Sequence, residues 1–102
     1  MNNMQQMIKQ AKKMQEQLSR VQEELALKTL EAESGGGMVK AVVSGKQELV
    51  SLVIEQEALE QGDKEMLEDL IVAAVNEGLR RSREMMEEQL SKVTGGFKPP
   101  FF

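Results

Sequence analysis

Lys9, Lys12 and Lys13 fall close together near the start of the chain, and no acidic residue precedes Glu16. Lysines clustered in this way have no acid–base chemistry of their own to offer. Their chemistry is electrostatic: an ammonium neutralises a phosphate. The Asn2, Gln5 and Gln6 side chains that accompany them can reach base edges as well as phosphates. A solubilising helix face uses the same residue types, and the residues alone leave both readings open. Arg80, Arg81 and Arg83 form a second basic cluster. Each has an acid at helical spacing (Glu84, Glu77 and Glu87 respectively), so intrahelical pairing competes with any outside ligand.

Catalysis finds little to work with. The sequence has no His and no Cys, which removes the commonest general base, the commonest nucleophile and the best zinc ligands together. Glu65/Asp69 and Glu84/Glu88 are spaced to share a helix face, and paired acids do acid–base work when a pocket separates their pKa values. With no aromatic-walled pocket in prospect, a solvated acidic face is the expectation, and nothing resembles a calcium loop. Gly35-Gly36-Gly37 is not a phosphate cradle, because such a run opens onto a helix with Lys-Ser/Thr next in sequence. Here the triplet leads into a strand. No catalytic residue, metal ligand or cofactor is expected.

The elements that carry these residues are legible from periodicity. Met4, Met7, Ala11, Met14, Leu18, Val21 and Leu25 alternate spacings of three and four, an a/d seam on a helix from about Asn3 to Leu25. With Met4 at position a, Lys9, Lys12 and Lys13 fall at f, b and c, away from the seam. Period-2 alternation then replaces period 3.6: a strand over 28–33, a turn at the glycine triplet, a second strand over 38–44 and a third over 49–55. Gly45-Lys46 fits a two-residue hairpin turn with glycine first. The third strand places Val50, Leu52 and Ile54 on one face with Leu49 and Val53 on the other, so both faces expect cover. Residues 57–62 read as a polar connection. Asp63 is a candidate N-cap, and a second helix runs to about Val93, ended by Gly95-Gly96. Its apolar face is Leu67, Leu70, Ile71, Ala74, Val75, Leu79, Met86 and Leu90.

The fold expected is therefore α+β: a three-stranded antiparallel sheet flanked by two long helices, with residues 1–94 as a single domain and 95–102 as a tail. A sheet about 15 Å wide cannot cover helices of about 35 and 45 Å, which predicts a homodimer with Met7, Met14, Leu18, Val21 and Leu25 in the interface. The tail holds all the aromatic residues of the chain, Phe97, Phe101 and Phe102. It reads as a docking peptide for a protein partner, a segment folded back on its own protein, or a disordered end. No apolar run reaches membrane-span length and no secretion signal is visible, so a cytoplasmic protein is expected. A net charge of −4 and a pI near 4.9 argue against coating nucleic acid by bulk charge, so any polyanion binding must be local.

Over nearly its whole length the chain resembles the YbaB/EbfC family of small bacterial nucleoid-associated proteins. The likeness runs from the Met/Gln/Lys-rich first helix through Gly35-Gly36-Gly37-Met38-Val39-Lys40 and Gly45-Lys46. It continues through Asp63-Lys64-Glu65-Met66-Leu67-Glu68-Asp69-Leu70-Ile71-Val72-Ala73-Ala74-Val75-Asn76 to Leu90-Ser91-Lys92-Val93-Thr94-Gly95-Gly96. The resemblance implies an α-β-β-β-α protomer and a homodimer with projecting, tweezer-like helical arms. It further implies binding of double-stranded DNA with little sequence preference, roles in nucleoid organisation and gene regulation, and no enzymatic activity. The family's DNA contacts lie on its terminal helices, which carry over here as Lys9, Lys12, Lys13, Arg80, Arg81 and Arg83. The acids Glu84, Glu87 and Glu88 depart from that pattern and shift the weight to the first helix. A dimeric protein–protein adaptor, with its seams and Phe-rich tail as docking surfaces, is the alternative expectation.

Overall fold

In the computed structural model, which describes residues 3–95, two long helices run to and from a small sheet. The first, α1 (Asn3–Leu27), is built from Gln, Glu, Lys and Met, all good helix formers. Strands β1 (Thr29–Ser34), β2 (Val39–Ser44) and β3 (Leu49–Ile54) make an antiparallel sheet in the order β1-β2-β3. A short helix α2 (Gln56–Glu60) then leads to α3 (Lys64–Thr94). The Asp63 carboxylate accepts the Met66 amide at 3.0 Å to cap the start of α3, and Gly95, left-handed at φ 66°, closes its end.

The glycine triplet turns the chain between β1 and β2 with all three residues at positive φ, 61°, 66° and 95°, a conformation that glycine adopts without cost from a side chain. It is pinned under α3, where the Ser34 hydroxyl donates to the Leu70 carbonyl at 2.6 Å. The sheet's inner face then meets the first half of α3. Val39, Ala41 and Ala74 are fully buried, with Leu52, Ile54, Leu67, Leu70, Ile71 and Val75 packed around them. Small residues let the helix sit close. A Cβ on Gly78 would fall 2.6 Å from Cγ2 of Val43. One turn further on, the buried Ser82 hydroxyl donates to the Ser44 carbonyl at 2.6 Å and accepts the Gln47 amide at 3.1 Å.

Three expectations are corrected. Gly45-Lys46 is not a two-residue hairpin: residues 45–48 connect β2 to β3, and the left-handed residue is Gln47, at φ 63°. Gly45 is needed for room instead, because a Cβ there would lie 2.4 Å from the Leu25 carbonyl oxygen, and its amide donates to the Lys28 carbonyl at 2.9 Å. The faces of β3 also change. Ser51 pairs with Val42 and Leu49 with Val43, a bulge that leaves Val50 without a partner. Because directly opposed residues share a face, Leu49 joins Leu52 and Ile54 on the helix side, while Ser51 and Val53 face away. The connection after β3 is the helix α2, whose Ala58 is buried. The tail residues Phe97, Phe101 and Phe102 lie outside the described residues, as does Asn2.

Overall the chain is long and thin, 72 × 21 × 16 Å. Its radius of gyration of 19.3 Å exceeds the roughly 13 Å of a compact domain of this length. The excess is the helices: the sheet covers α3 from Leu67 to about Ser82 and meets α1 near Leu25.

Candidate nucleic-acid interface

The seam of α1 is divided by its contact with α3. Leu25 is 1% exposed and buried within the single chain, and Leu18 and Val21 are half-buried. Gln17, Arg20 and Val21 face Gln89, Lys92 and Val93 across a shallow groove of about 330 Å³. Toward the N-terminus of Gln17 every described residue of α1 is exposed, including Met7 and Met14. The half of α1 carrying Lys9, Lys12 and Lys13 is therefore an uncovered arm, at most about 21 Å long for its fourteen residues.

The three lysines make no ion pair among the described residues. All three are exposed, on the faces of the arm turned away from the seam. Arg20, also exposed, lies seven residues beyond Lys13 and extends the same face, although Glu16 and Glu23 stand beside it in a shallow depression with Lys12. The sequence alone does not single out Arg20, because its neighbours are acidic. The signal for it is the seven-residue repeat from Lys13.

The arginines of α3 are engaged differently. Arg80 holds Glu77 in a bidentate pair, at 2.6 and 3.1 Å, and Glu84 at 2.6 Å. The hydrogen bond from Arg80, and then its charge, hold the Glu77 carboxyl below the ordinary carboxylate range; Glu77 and Glu84 in turn hold the guanidinium above its ordinary value. Arg81 does not pair with Glu77 as its spacing suggests. It donates to the Glu31 carbonyl at 2.6 Å, tying α3 to β1. Arg83 is exposed and makes no ion pair among the described residues. The two clusters are thus unequal: three unpaired cations on the arm, against one free arginine on α3.

The sheet's outer face is partly open. Lys40 bridges Glu31 and Glu33 there, each at 3.7 Å, and beside it Val50 is 58% and Val53 48% exposed on the edge strand β3. Among the described residues no group of acidic side chains is arranged to hold a metal ion, and no helix is long and apolar enough to cross a membrane.

Residues 1–97 match the model of the YbaB/EbfC DNA-binding family. A nucleoid-associated protein of Caldanaerobacter subterraneus is 53% identical over 98 residues, covering 96% of this chain and 88% of its own. One of Moorella thermoacetica is 50% identical over 102 residues, covering 100% and 98%. The crystal structure of an uncharacterised Helicobacter pylori protein superposes with a TM-score of 0.66 at 31% identity, covering 76% of this chain and 90% of that one.

Proposed function

The chain belongs to the YbaB/EbfC DNA-binding family, and from that membership we propose that it acts as a nucleoid-associated protein that grips duplex DNA as a homodimer. Its relatives carry the name nucleoid-associated protein. In this reading each protomer presents the outer face of its α1 arm to the phosphate backbone, with Lys9, Lys12 and Lys13 as the principal contacts. Arg83 and Arg20 are secondary, while Arg80 and Arg81 are occupied by internal partners. The observation that carries the reading is the uncovered arm with three exposed, unpaired lysines. Phosphates recognised by lysine point charges give affinity without sequence choice. A net charge of −4 opposes wrapping by the rest of the surface. The chain would work in the cytoplasm at the nucleoid, organise DNA, influence expression there, and perform no catalysis.

On this reading the second copy associates through the outer face and free edge of β3, where Val50 and Val53 are exposed. An unpaired edge strand with apolar side chains is a natural surface for symmetric association. Of the expected seam, Leu25 is buried inside the protomer and α3 half-covers Leu18 and Val21, whereas Met7 and Met14 are exposed and stay available to the second copy.

The test is a mobility-shift series in which Lys9, Lys12 and Lys13 are all changed to Gln. Glutamine keeps helix propensity close to lysine, so fold and assembly should persist while DNA affinity and its salt dependence collapse. Unchanged affinity at equal salt would remove the arm from the interface. An adaptor, the other reading, would show no DNA binding even in the parent at low salt.

A further inference from the structure

The uncovered arm of α1 has two chemically opposite sides. Met4, Met7, Ile8, Ala11 and Met14 fall within an arc of about 120° of the helix circumference. All five are exposed, Met4 by 73%, Met7 by 68% and Ile8 by 51%. Lys9 and Lys13 fall on the opposite side, Lys12 borders the apolar arc, and no acidic residue precedes Glu16. A strict a/d seam would hold the methionines and Ala11 alone. Ile8, at position e, widens that seam into a face, which one partner helix does not need and a flat apolar surface does. We propose that this half of α1 is a second binding surface: an interfacial helix that lies on an anionic lipid bilayer, its apolar face in the headgroup boundary and its lysines within reach of the lipid phosphates.

Charge selects the arm for this role and the rest of the molecule against it. The chain has a net charge of −4, yet its first fifteen residues carry three lysines and no acid, which leaves −7 on the remainder. An anionic surface therefore attracts the arm and repels the sheet and α3. The fold permits contact by the arm alone, because every described residue before Gln17 is exposed and about 21 Å of helix is clear to lie flat. The helix lies on the bilayer and does not cross it, since no described helix is long and apolar enough to span a membrane. Flexible methionine side chains adapt to irregular apolar surroundings. Lys12, at the border, can bury its methylenes while its ammonium stays among the headgroups. The proposal shares its lysines with the DNA reading but does not rest on it, because duplex phosphates need only the charge and leave the apolar face unused.

Cosedimentation of the full chain with lipid vesicles tests the inference. Vesicles of equal parts phosphatidylglycerol and phosphatidylcholine should bind the protein at low salt, and vesicles of phosphatidylcholine alone should not. Lys9→Gln, Lys12→Gln and Lys13→Gln combined should weaken binding to the anionic vesicles about a hundredfold, at about fivefold for each lysine near such a surface. Met4→Gln with Ile8→Gln keeps helix propensity and every charge. This pair should weaken vesicle binding about tenfold or more, through lost apolar burial, while affinity for duplex DNA stays unchanged. The two ligands are thereby separated: a chain that failed to bind DNA would leave the vesicle result standing, and the reverse holds too. No binding to the anionic vesicles overturns the inference. Binding indifferent to the Met4 and Ile8 changes overturns it as well, because that is adsorption by charge alone. If the two changes instead alter the sedimentation of the protein without vesicles, the apolar face belongs to a second copy and the inference falls.

Discussion

Ser82 on α3 donates its hydroxyl proton to the carbonyl of Ser44 at the end of β2, at 2.6 Å and with the serine fully buried. The same oxygen accepts the Gln47 amide at 3.1 Å, and that amide also donates to the Ser44 carbonyl at 3.1 Å, so the serine closes a small hydrogen-bonded cycle where the sheet turns back. The contact fixes how far along α3 the sheet lies, and so how much of each helix projects. Ser82→Ala removes both hydroxyl contacts but leaves the Gln47 amide paired with the Ser44 carbonyl, and should cost about 1 kcal/mol, seen as a lower urea midpoint with an unchanged m value.

Gly78, one turn earlier, should respond against helix propensity. In an exposed helix Gly→Ala stabilises by about 1 kcal/mol. Here the added methyl would meet Cγ2 of Val43 at 2.6 Å, and overpacking of this kind costs about 1–3 kcal/mol. Gly78→Ala should therefore lower the melting temperature, and Gly78→Ala combined with Val43→Ala should recover part of the loss.

Gln47 holds a positive φ of 63° without being glycine. The left-handed conformation costs an ordinary residue about 1–2 kcal/mol, and glycine's greater unfolded-state freedom returns part of that. Gln47→Gly should thus raise stability by up to about 1 kcal/mol, and Gln47→Val should lower it. Equilibrium denaturation of the two variants reads both signs.

Glu77 should titrate below the ordinary carboxylate range, because Arg80 holds it by hydrogen bond and charge. A carboxyl whose folded pKa is depressed contributes stability above its unfolded pKa and loses it as pH falls through the folded value. Both side chains are exposed, so the effect on folding is small and the side-chain titration is the sensitive readout. Arg80→Gln should return the Glu77 titration, followed by carboxyl NMR shifts, to the ordinary range.

The order and type of the two long helices and the three strands were legible because periodicity changes cleanly from 3.6 to 2 and back, and Asp63 and Gly95 mark the ends of α3 by side-chain and backbone chemistry that one sequence displays, whereas the short helix α2 was not. Faces and loops were not legible in the same way. A single bulge at Val50 moves Leu49 to the face of Leu52 and Ile54, and no local residue type announces it. Gly45 looks like a turn residue but is small because the end of α1 presses on it, a contact made by residues far apart in the chain. The lysines of the arm could be found as a cluster, yet only the packing of α1 on α3 reveals that they stand on its uncovered half. Arg81 shows the converse: its nearest acid by spacing is Glu77, but its partner is a carbonyl on β1.

The dimer and the arms can be tested together through the number of phosphates engaged. Two arms carry six lysines, and at about −0.9 per phosphate neutralised the log–log dependence of affinity on salt should have a slope of about −5. Val50→Asp with Val53→Asp places charge on the exposed part of β3, where desolvating it in an interface is costly, but leaves the helix-facing residues Leu49, Leu52 and Ile54 untouched. This variant should sediment as a folded monomer. With three lysines per particle its slope should fall to about −2.7, and its affinity should fall steeply because the second arm no longer binds at high effective concentration. A variant that stays dimeric would move the interface off β3. A monomer that kept the parent slope would mean that the lysines of one arm already make all the phosphate contacts, and the two-armed grip would be wrong.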